Sequence, residues 1–352
     1  MFILLACVGI IVASLLFKID VKEDIDVSSL PPAQSSQSVQ RSSSPASSVL
    51  SSSVSQESSS SSQSSSQAPP PASSAAPVSS VAPSSVAAAS SYATFEISTN
   101  STHPGEFFTL YAYDVEDPSK ITVDNPFGVT PQWFKTENYY TAFFPVKYTF
   151  TPAEYNLTFI YGDRKEEFTI YLLDKNFPTQ NLVVDSSVTS NTIENDDANN
   201  EYNVKVQPLK FLSQTSPIWE DAFLMPVQGE ITTEFGTIRT VNGSPSDRHG
   251  GIDIAASRGT PIVASNSGVV LFAQYIQLTG NTVCIEHGYG LKTWYYHMDS
   301  LSVKDNERVE KGQQIGTVGS TGFSTGPHLH FAASIFSTYV NPWTLMDASP
   351  EI

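Results

Sequence analysis

The sequence is poor in cysteine and in basic residues. Only two of its 352 residues are cysteines, and 18 basic residues stand against 35 acidic ones. Cys7 lies in an N-terminal apolar stretch and Cys284 in a late strand pattern, so no disulfide framework is expected. The formal net charge of -17 argues against a nucleic-acid-binding surface, because phosphate contacts require clustered lysine and arginine.

Histidine is also scarce, and its placement is informative. The chain has six histidines, and two motifs near the C-terminal end contain three of them: Arg248-His249-Gly-Gly-Ile-Asp253 and Gly326-Pro-His328-Leu-His330-Phe331. Alternate residues of a β-strand point to one face, so His328 and His330 can enter the same site. Three ligands drawn from His249, Asp253 and the His-x-His pair predict a metal site with an open position, which is typical of catalytic zinc.

The N-terminal region differs from the rest of the chain. Residues 1–17 include the charge-free apolar run Phe2 to Phe17 and predict a transmembrane anchor or a signal-like segment. No small-x-small cleavage site follows this run, which favours an uncleaved anchor. Residues 18–92 are rich in Ser, Ala and Pro and lack apolar periodicity, so we expect a disordered linker that acts as a tether.

The remaining sequence predicts a mostly β chain with two domains. In residues 93–175, apolar residues alternate in segments separated by turn signals, a pattern that favours a small β-sandwich. Residues 176–222 are interpreted as a connector that contains an exposed acidic stretch around 195–201. From residue 223 to 346, short apolar segments separated by glycines predict an all-β domain with many tight turns, and His287 is predicted to be a turn residue.

The last domain resembles the lysostaphin/LytM class of zinc endopeptidases, which cleave the peptides of bacterial cell-wall peptidoglycan. The resemblance runs from about Met225 to Pro342 and rests on several motifs in the same order. These motifs are Phe235-Gly236, His249-Gly-Gly-Ile-Asp253, Gly259-Thr260-Pro261, Gly280-Asn281-Thr282-Val283, Tyr296-His297-Met298, Lys311-Gly-Gln-Gln-Ile-Gly316 and Gly326-Pro-His328-Leu-His330-Phe331.

The resemblance implies a role for each residue of the motifs. His249, Asp253 and His330 match the zinc ligands, whereas His297 and His328 match two catalytic histidines that do not bind the metal. Neutral imidazoles suit this task, because they can take a proton from a metal-activated water and pass one to the leaving amine. Asn281 is predicted to contact substrate, with a purely structural turn as the alternative.

The predicted function is zinc-dependent hydrolysis of peptide bonds in peptidoglycan, either in a crosslink or in a stem peptide. The alternative is a non-catalytic regulator of the same fold that activates another cell-wall hydrolase. The anchor and the tether predict a single-pass protein of the cell membrane, with its C-terminal body outside and facing the cell wall. No motif identifies a divisome or cell-wall regulatory partner, so any such partner is unknown.

Overall fold

The computed structural model describes residues 92–352. The predicted anchor, residues 1–17, and all of the predicted linker except Tyr92 lie outside the described residues. Within them, no helix combines the length and the apolar character needed to span a bilayer. The described chain is mostly β, as the alternating and glycine-punctuated patterns predict.

The first described part consists of two four-stranded sheets with a shared apolar core. Phe108, Leu110 and Ala112 alternate along one strand and are buried in this core, together with residues of the opposite sheet such as Phe159 and Ile170. The strands pair in the orders β1-β3-β6-β5 and β2-β8-β7-β4. They are β1 (Thr94–Ile97), β2 (Ser101–Thr102), β3 (Phe107–Tyr113), β4 (Thr122–Asp124), β5 (Phe134–Lys135), β6 (Tyr139–Pro145), β7 (Ala153–Tyr161) and β8 (Arg164–Leu172).

The connector has more regular structure than its sequence predicts. Asn195 caps a helix by accepting hydrogen bonds from the backbone N–H groups of Asp197 and Ala198, and acidic residues in the first turn complement the helix dipole. The acidic stretch is therefore the start of a helix. The connector contains β9 (Thr179–Leu182), α1 (Ser186–Asn191), α2 (Asp196–Lys205) and a 3₁₀ turn at 207–211.

The C-terminal part is built on an eight-stranded sheet in the order β10-β13-β21-β17-β16-β15-β19, with β22 paired to β21. Two three-stranded sheets, β12-β11-β9 and β14-β20-β18, flank it. The elements are β10 (Glu230–Thr233), β11 (Ile238–Val241), β12 (Ser244–Pro245), β13 (Gly251–Ala255), β14 (Pro261–Val263), β15 (Gly268–Ile276), β16 (Gly280–Gly288), β17 (Leu291–Met298), β18 (Ser300–Leu301), β19 (Arg308–Val309), β20 (Gln314–Thr317), β21 (His328–Ile335), β22 (Thr338–Val340) and α3 (Pro342–Asp347).

The central strands β17 and β21 are buried along their whole length. The connector brings polar backbone groups to charged side chains of β16 and β17. The N–H of Gln214 donates to Glu286 Oε1 at 3.1 Å, and Lys292 Nζ donates to the carbonyl of Lys210 at 3.2 Å. Buried charges are tolerated only with such partners. The connector is thus an integral layer of the fold.

His287 is a buried strand residue of β16, whereas its sequence context predicts a turn. Its Nδ1 donates to the carbonyl of Ser267 at 2.8 Å, and its Nε2 accepts from the hydroxyl of Thr293 at 2.8 Å. A neutral imidazole satisfies both bonds, and burial lowers the pKa of His287 from 6.5 to about 4. The folded state therefore disfavours the protonated ring.

This lowered pKa predicts acid sensitivity. Between pH 6.5 and 4, His287 binds a proton in the unfolded chain but not in the folded one. The contribution of His287 to the free energy of unfolding is therefore fully present above pH 6.5 and is lost as the pH falls. The loss from this group is at most roughly 3 kcal/mol. We expect the pH dependence of urea-unfolding free energy, measured with a chelator present, to be shallower in His287→Gln than in the unchanged chain. Parallel pH dependences would contradict this assignment.

Candidate metal centre

Strand pairing places Asp253 and His330 side by side. The antiparallel register of β13 and β21 sets Asp253 directly opposite His330 and Ala255 opposite His328. Because side chains alternate along a strand, His328 and His330 share one face of the sheet, as the His-x-His spacing predicts. The distance between His330 Nδ1 and Asp253 Oδ1 is 2.9 Å.

His249 reaches the same point from the segment just before β13. Its N–H donates to the carbonyl of Thr237 at 2.9 Å, and its own carbonyl accepts from the N–H of Gly236 at 2.7 Å. Gly251 permits the close approach, because a Cβ atom at that position would lie 2.7 Å from His330 Cε1. The absence of a side chain at Gly251 thus leaves space for the ring of His330.

Three potential ligand atoms converge at this point. His249 Nε2 lies 2.9 Å from Asp253 Oδ1 and 3.0 Å from His330 Nδ1. Zinc binds histidine nitrogen at about 2.0–2.1 Å and carboxylate oxygen at about 2.0–2.2 Å. Three atoms separated by these distances can all contact one such ion.

The hydrogen bonds of His249 test whether these residues suit a cation. A carbonyl can only accept, so the 3.0 Å contact between His249 Nδ1 and the carbonyl of Glu234 places the ring proton on Nδ1. The lone pair of Nε2 then faces the carboxylate oxygen of Asp253. Two electron-rich atoms at this distance require an additional proton or a cation between them. A backbone carbonyl that fixes the tautomer of a ligand histidine is common at metal sites.

Asp253 is held in its ionised form. Burial by itself raises the pKa of this carboxyl group, but His249, His330 and Arg239 together outweigh it and hold the pKa well below the usual range. The Arg239 guanidinium donates to Asp253 Oδ2 at 3.0 Å, so the second carboxylate oxygen is occupied. The role of Arg239 is not predictable from sequence, because an isolated arginine in a strand carries no recognisable signal.

His297 and His328 lie beside this cluster, with ring centroids 4.9 Å apart. Each donates its Nδ1 proton to a backbone carbonyl at 2.8 Å, His297 to Thr321 and His328 to Gly326. Each Nε2 is therefore left as the basic nitrogen. Burial lowers the pKa of both rings, that of His297 to well below its ordinary value, so both are neutral at neutral pH.

The backbone of His297 explains how it reaches the site. Its φ of 61° is left-handed, which is uncommon for a residue other than glycine and is often found at functional sites. Regular alternation would place Tyr296 and His297 on opposite faces. Here both rings approach His330, with centroid distances of 5.2 Å from Tyr296 and 6.3 Å from His297.

The remaining predicted site residue, Asn281, lies close to His297 but is occupied by the backbone. Its Nδ2 donates to the carbonyls of Met298 and Asp299, each at 3.1 Å. These bonds hold the chain that follows His297. A contact between Asn281 and substrate stays a prediction.

The site is closed in this structure. His249, Asp253, His297, His328 and His330 each have 0% solvent exposure. The sheet face that carries these residues is therefore inaccessible to a peptide in this conformation.

Connector residues pack on the sheet face beside the site. The hydroxyl of Tyr202, on α2, is 3.3 Å from that of Tyr339, and the hydroxyl of Tyr339 is 3.2 Å from that of Tyr296. The ring of Tyr296 stacks on His330. On the same helix, Glu201 accepts from the N–H of Gln277 at 2.8 Å, which ties α2 to the hairpin between β15 and β16.

Comparison with known proteins places this domain. Residues 247–342 match the profile of Peptidase family M23. Over 104 residues the chain is 45% identical to the DD-carboxypeptidase/endopeptidase Mpg of Neisseria meningitidis, a match that covers 30% of this chain and 24% of Mpg. The catalytic domain of the antimicrobial peptidase lysostaphin from Staphylococcus simulans is 32% identical, with coverage of 34% of this chain and 92% of that domain and a TM-score of 0.31.

Residues 247–342 are a Peptidase family M23 domain. A further relative of the M23 domain is the peptidoglycan DD-endopeptidase ShyC of Vibrio cholerae, which is 45% identical over 97 residues, or 28% of this chain and 22% of ShyC. The predicted resemblance to lysostaphin/LytM-type endopeptidases is confirmed, and the domain is that of a metallopeptidase. The chain spans about a quarter of the length of the curated relatives it matches.

The geometry of the M23 domain predicts one metal ion per chain. We expect the full chain to bind one zinc ion, and His249→Ala or His330→Ala to weaken binding by more than about 100-fold, since loss of a second-sphere partner alone costs about 10–100-fold. Metal content after dialysis and competition with a chromogenic chelator measure this.

His103→Ala is the matched control, because His103 lies in the first described part and pairs with Glu106. Zinc bound with unchanged affinity after loss of both His249 and His330 would refute the site.

Proposed function

We propose that the chain is a zinc-dependent endopeptidase that hydrolyses peptide bonds of bacterial peptidoglycan. The observation that carries the proposal is the arrangement of five side chains: a converging set from His249, Asp253 and His330, flanked by His297 and His328. The names of the M23 relatives support peptidoglycan as the substrate and favour a D,D crosslink as the bond.

The residues divide the chemistry between them. His249, Asp253 and His330 would hold the metal, which supplies Lewis-acid polarisation of the scissile carbonyl and activation of water. His297 and His328 keep one proton on Nδ1 and offer a basic Nε2. One of them can accept a proton from the attacking water, and either can then deliver a proton to the leaving amine.

His297 is particularly suited to proton transfer. Its Nε2 is buried and has no hydrogen-bond partner among residues 92–352, so this nitrogen is available to water or to a leaving group. The low pKa that burial imposes keeps the ring neutral, as a general base requires. An unpartnered buried nitrogen is costly, which is consistent with a functional rather than a structural role.

The decisive experiment is digestion of purified, crosslinked peptidoglycan by the full chain, followed by mass spectrometry of the fragments. We expect conversion of dimeric into monomeric muropeptides, loss of this activity with a chelator, and its recovery with zinc. His297→Ala should lower the rate by about 10²–10⁴-fold, the range of general acid–base catalysis, while zinc remains bound.

The alternative function is the non-catalytic regulator. It would be favoured if the chain bound zinc but released no fragments, also in the Tyr202→Ala variant, which weakens a connector contact. Stimulation of a separate wall hydrolase would support it further. An unchanged rate in His297→Ala would reject the proposed mechanism, whereas an unchanged rate with a chelator would reject a metallopeptidase.

The buried site predicts a second effect on the rate. Since no site residue is exposed, a peptide can enter only if a neighbouring segment moves, and we infer that this segment is the connector. Tyr202→Ala removes the buried tyrosine that joins α2 to Tyr339, and we expect it to increase the initial digestion rate several-fold. Val204→Ala, on the same helix but 67% exposed, is the matched control. A rate in Tyr202→Ala equal to or below that of the control, with the chain folded, would refute this prediction.

We also propose the location given by the sequence. A cell-membrane protein with its C-terminal body facing the wall would meet peptidoglycan directly. The support for this is the apolar run at 1–17 and the Ser-rich tether, both of which belong to the part of the chain that the structure does not describe.

A further inference from the structure

Arg239 is an arginine buried between the metal centre and the connector. It lies in β11, its exposure is 2%, and two of its nitrogens have defined partners. Nη2 donates to Asp253 Oδ2 at 3.0 Å, and Nε donates to the side-chain oxygen of Gln180 at 3.1 Å. A guanidinium is rarely buried without such a fixed set of acceptors.

Because of the contact with Arg239, the two carboxylate oxygens of Asp253 have different partners. Oδ1 faces His249 Nε2 and His330 Nδ1, each at 2.9 Å, whereas Oδ2 faces the guanidinium. A carboxylate anchored at one oxygen cannot rotate away from its partners. It therefore presents a single oxygen to a metal ion, and it does so before the ion arrives.

The connector holds the arginine in turn. Gln180, on β9, lies beside Arg239 in the parallel register of β9 and β11. Its Nε2 donates to the hydroxyl of Thr233 at 3.3 Å, and Thr233 is the register partner of Asp253 across β10 and β13. The four residues thus form a closed ring that begins and ends at the proposed ligand.

We propose that Arg239 is a positioning residue of the metal centre, that it fixes Asp253 as a ligand through one oxygen, and that Gln180 fixes Arg239. This inference rests on the proposed metal-dependent function. Both residues precede the segment 247–342 that matches the M23 profile. The connector strand β9 is therefore a functional part of the metal centre. Metal affinity then depends on Gln180, which lies outside the predicted peptidase domain of residues 223–346.

The test measures zinc affinity of the full chain by competition with a chromogenic chelator. Arg239→Gln should weaken zinc binding by about 10–100-fold, the usual effect of losing a second-sphere partner. Gln180→Ala should weaken it in the same direction but less. If Gln180 acts only through Arg239, the double variant should bind zinc as weakly as Arg239→Gln alone, since residues in one network are not additive.

The matched control is Asn181→Ala. Asn181 is the next residue of β9, and its side chain accepts from the exposed hydroxyl of Thr240 at 2.7 Å, away from the ring. This variant should bind zinc like the unchanged chain. If Arg239→Gln does not fold, Gln180→Ala decides the question.

A second readout separates positioning from general stabilisation. With Co²⁺ as the probe at full occupancy, visible absorption reports coordination geometry, which a loss of stability elsewhere does not alter. The spectrum should change in Arg239→Gln and stay unchanged in Asn181→Ala.

Unchanged zinc affinity and an unchanged cobalt spectrum in the folded variants would overturn the inference, although the proposed function would stand. Weaker zinc binding in Arg239→Gln alone would overturn only the role of Gln180. If the unchanged chain binds no zinc, the proposed function itself fails.

Discussion

Asp253 and His330 face each other across the pairing of β13 and β21, and the metal centre depends on this register. A shift by one residue would place His328 and His330 on the opposite face of the sheet. The buried apolar residues Ile252, Leu329 and Phe331 favour this register, because a one-residue shift would exchange them for polar side chains in the apolar core. The geometry of the candidate metal centre is therefore fixed by ordinary apolar packing.

Part of this site was predictable from sequence because strand alternation is a strict rule. The spacing of His328 and His330, the glycines after His249 and the strand limits near β15, β16 and β17 all follow from local pattern. The approach of His297 does not, because its left-handed backbone breaks the alternation that a strand pattern assumes. Its place in the site followed only from the family resemblance.

The connector was the least predictable element, for a physical reason. Its helices are short and mostly polar, and they are stabilised by caps and by tertiary contacts rather than by an apolar face. In α2 only Ala198 and Tyr202 are buried, and Gln180 and Arg239 carry no local signal. Interactions that form only when distant segments meet leave almost no trace in a single sequence. Roles of this kind are recognisable only in the folded structure.

The spacing of these contacts along the chain has a consequence for folding. His249 and His330 are 81 residues apart, and Tyr202 and Tyr339 are 137 apart, so the centre is closed by contacts of high contact order, which form slowly. The strand β21, which carries His328 and His330, follows the connector in the chain, so the connector is synthesised first. Since domains generally fold from the N-terminus during synthesis, the connector is already present when His330 is added to the chain.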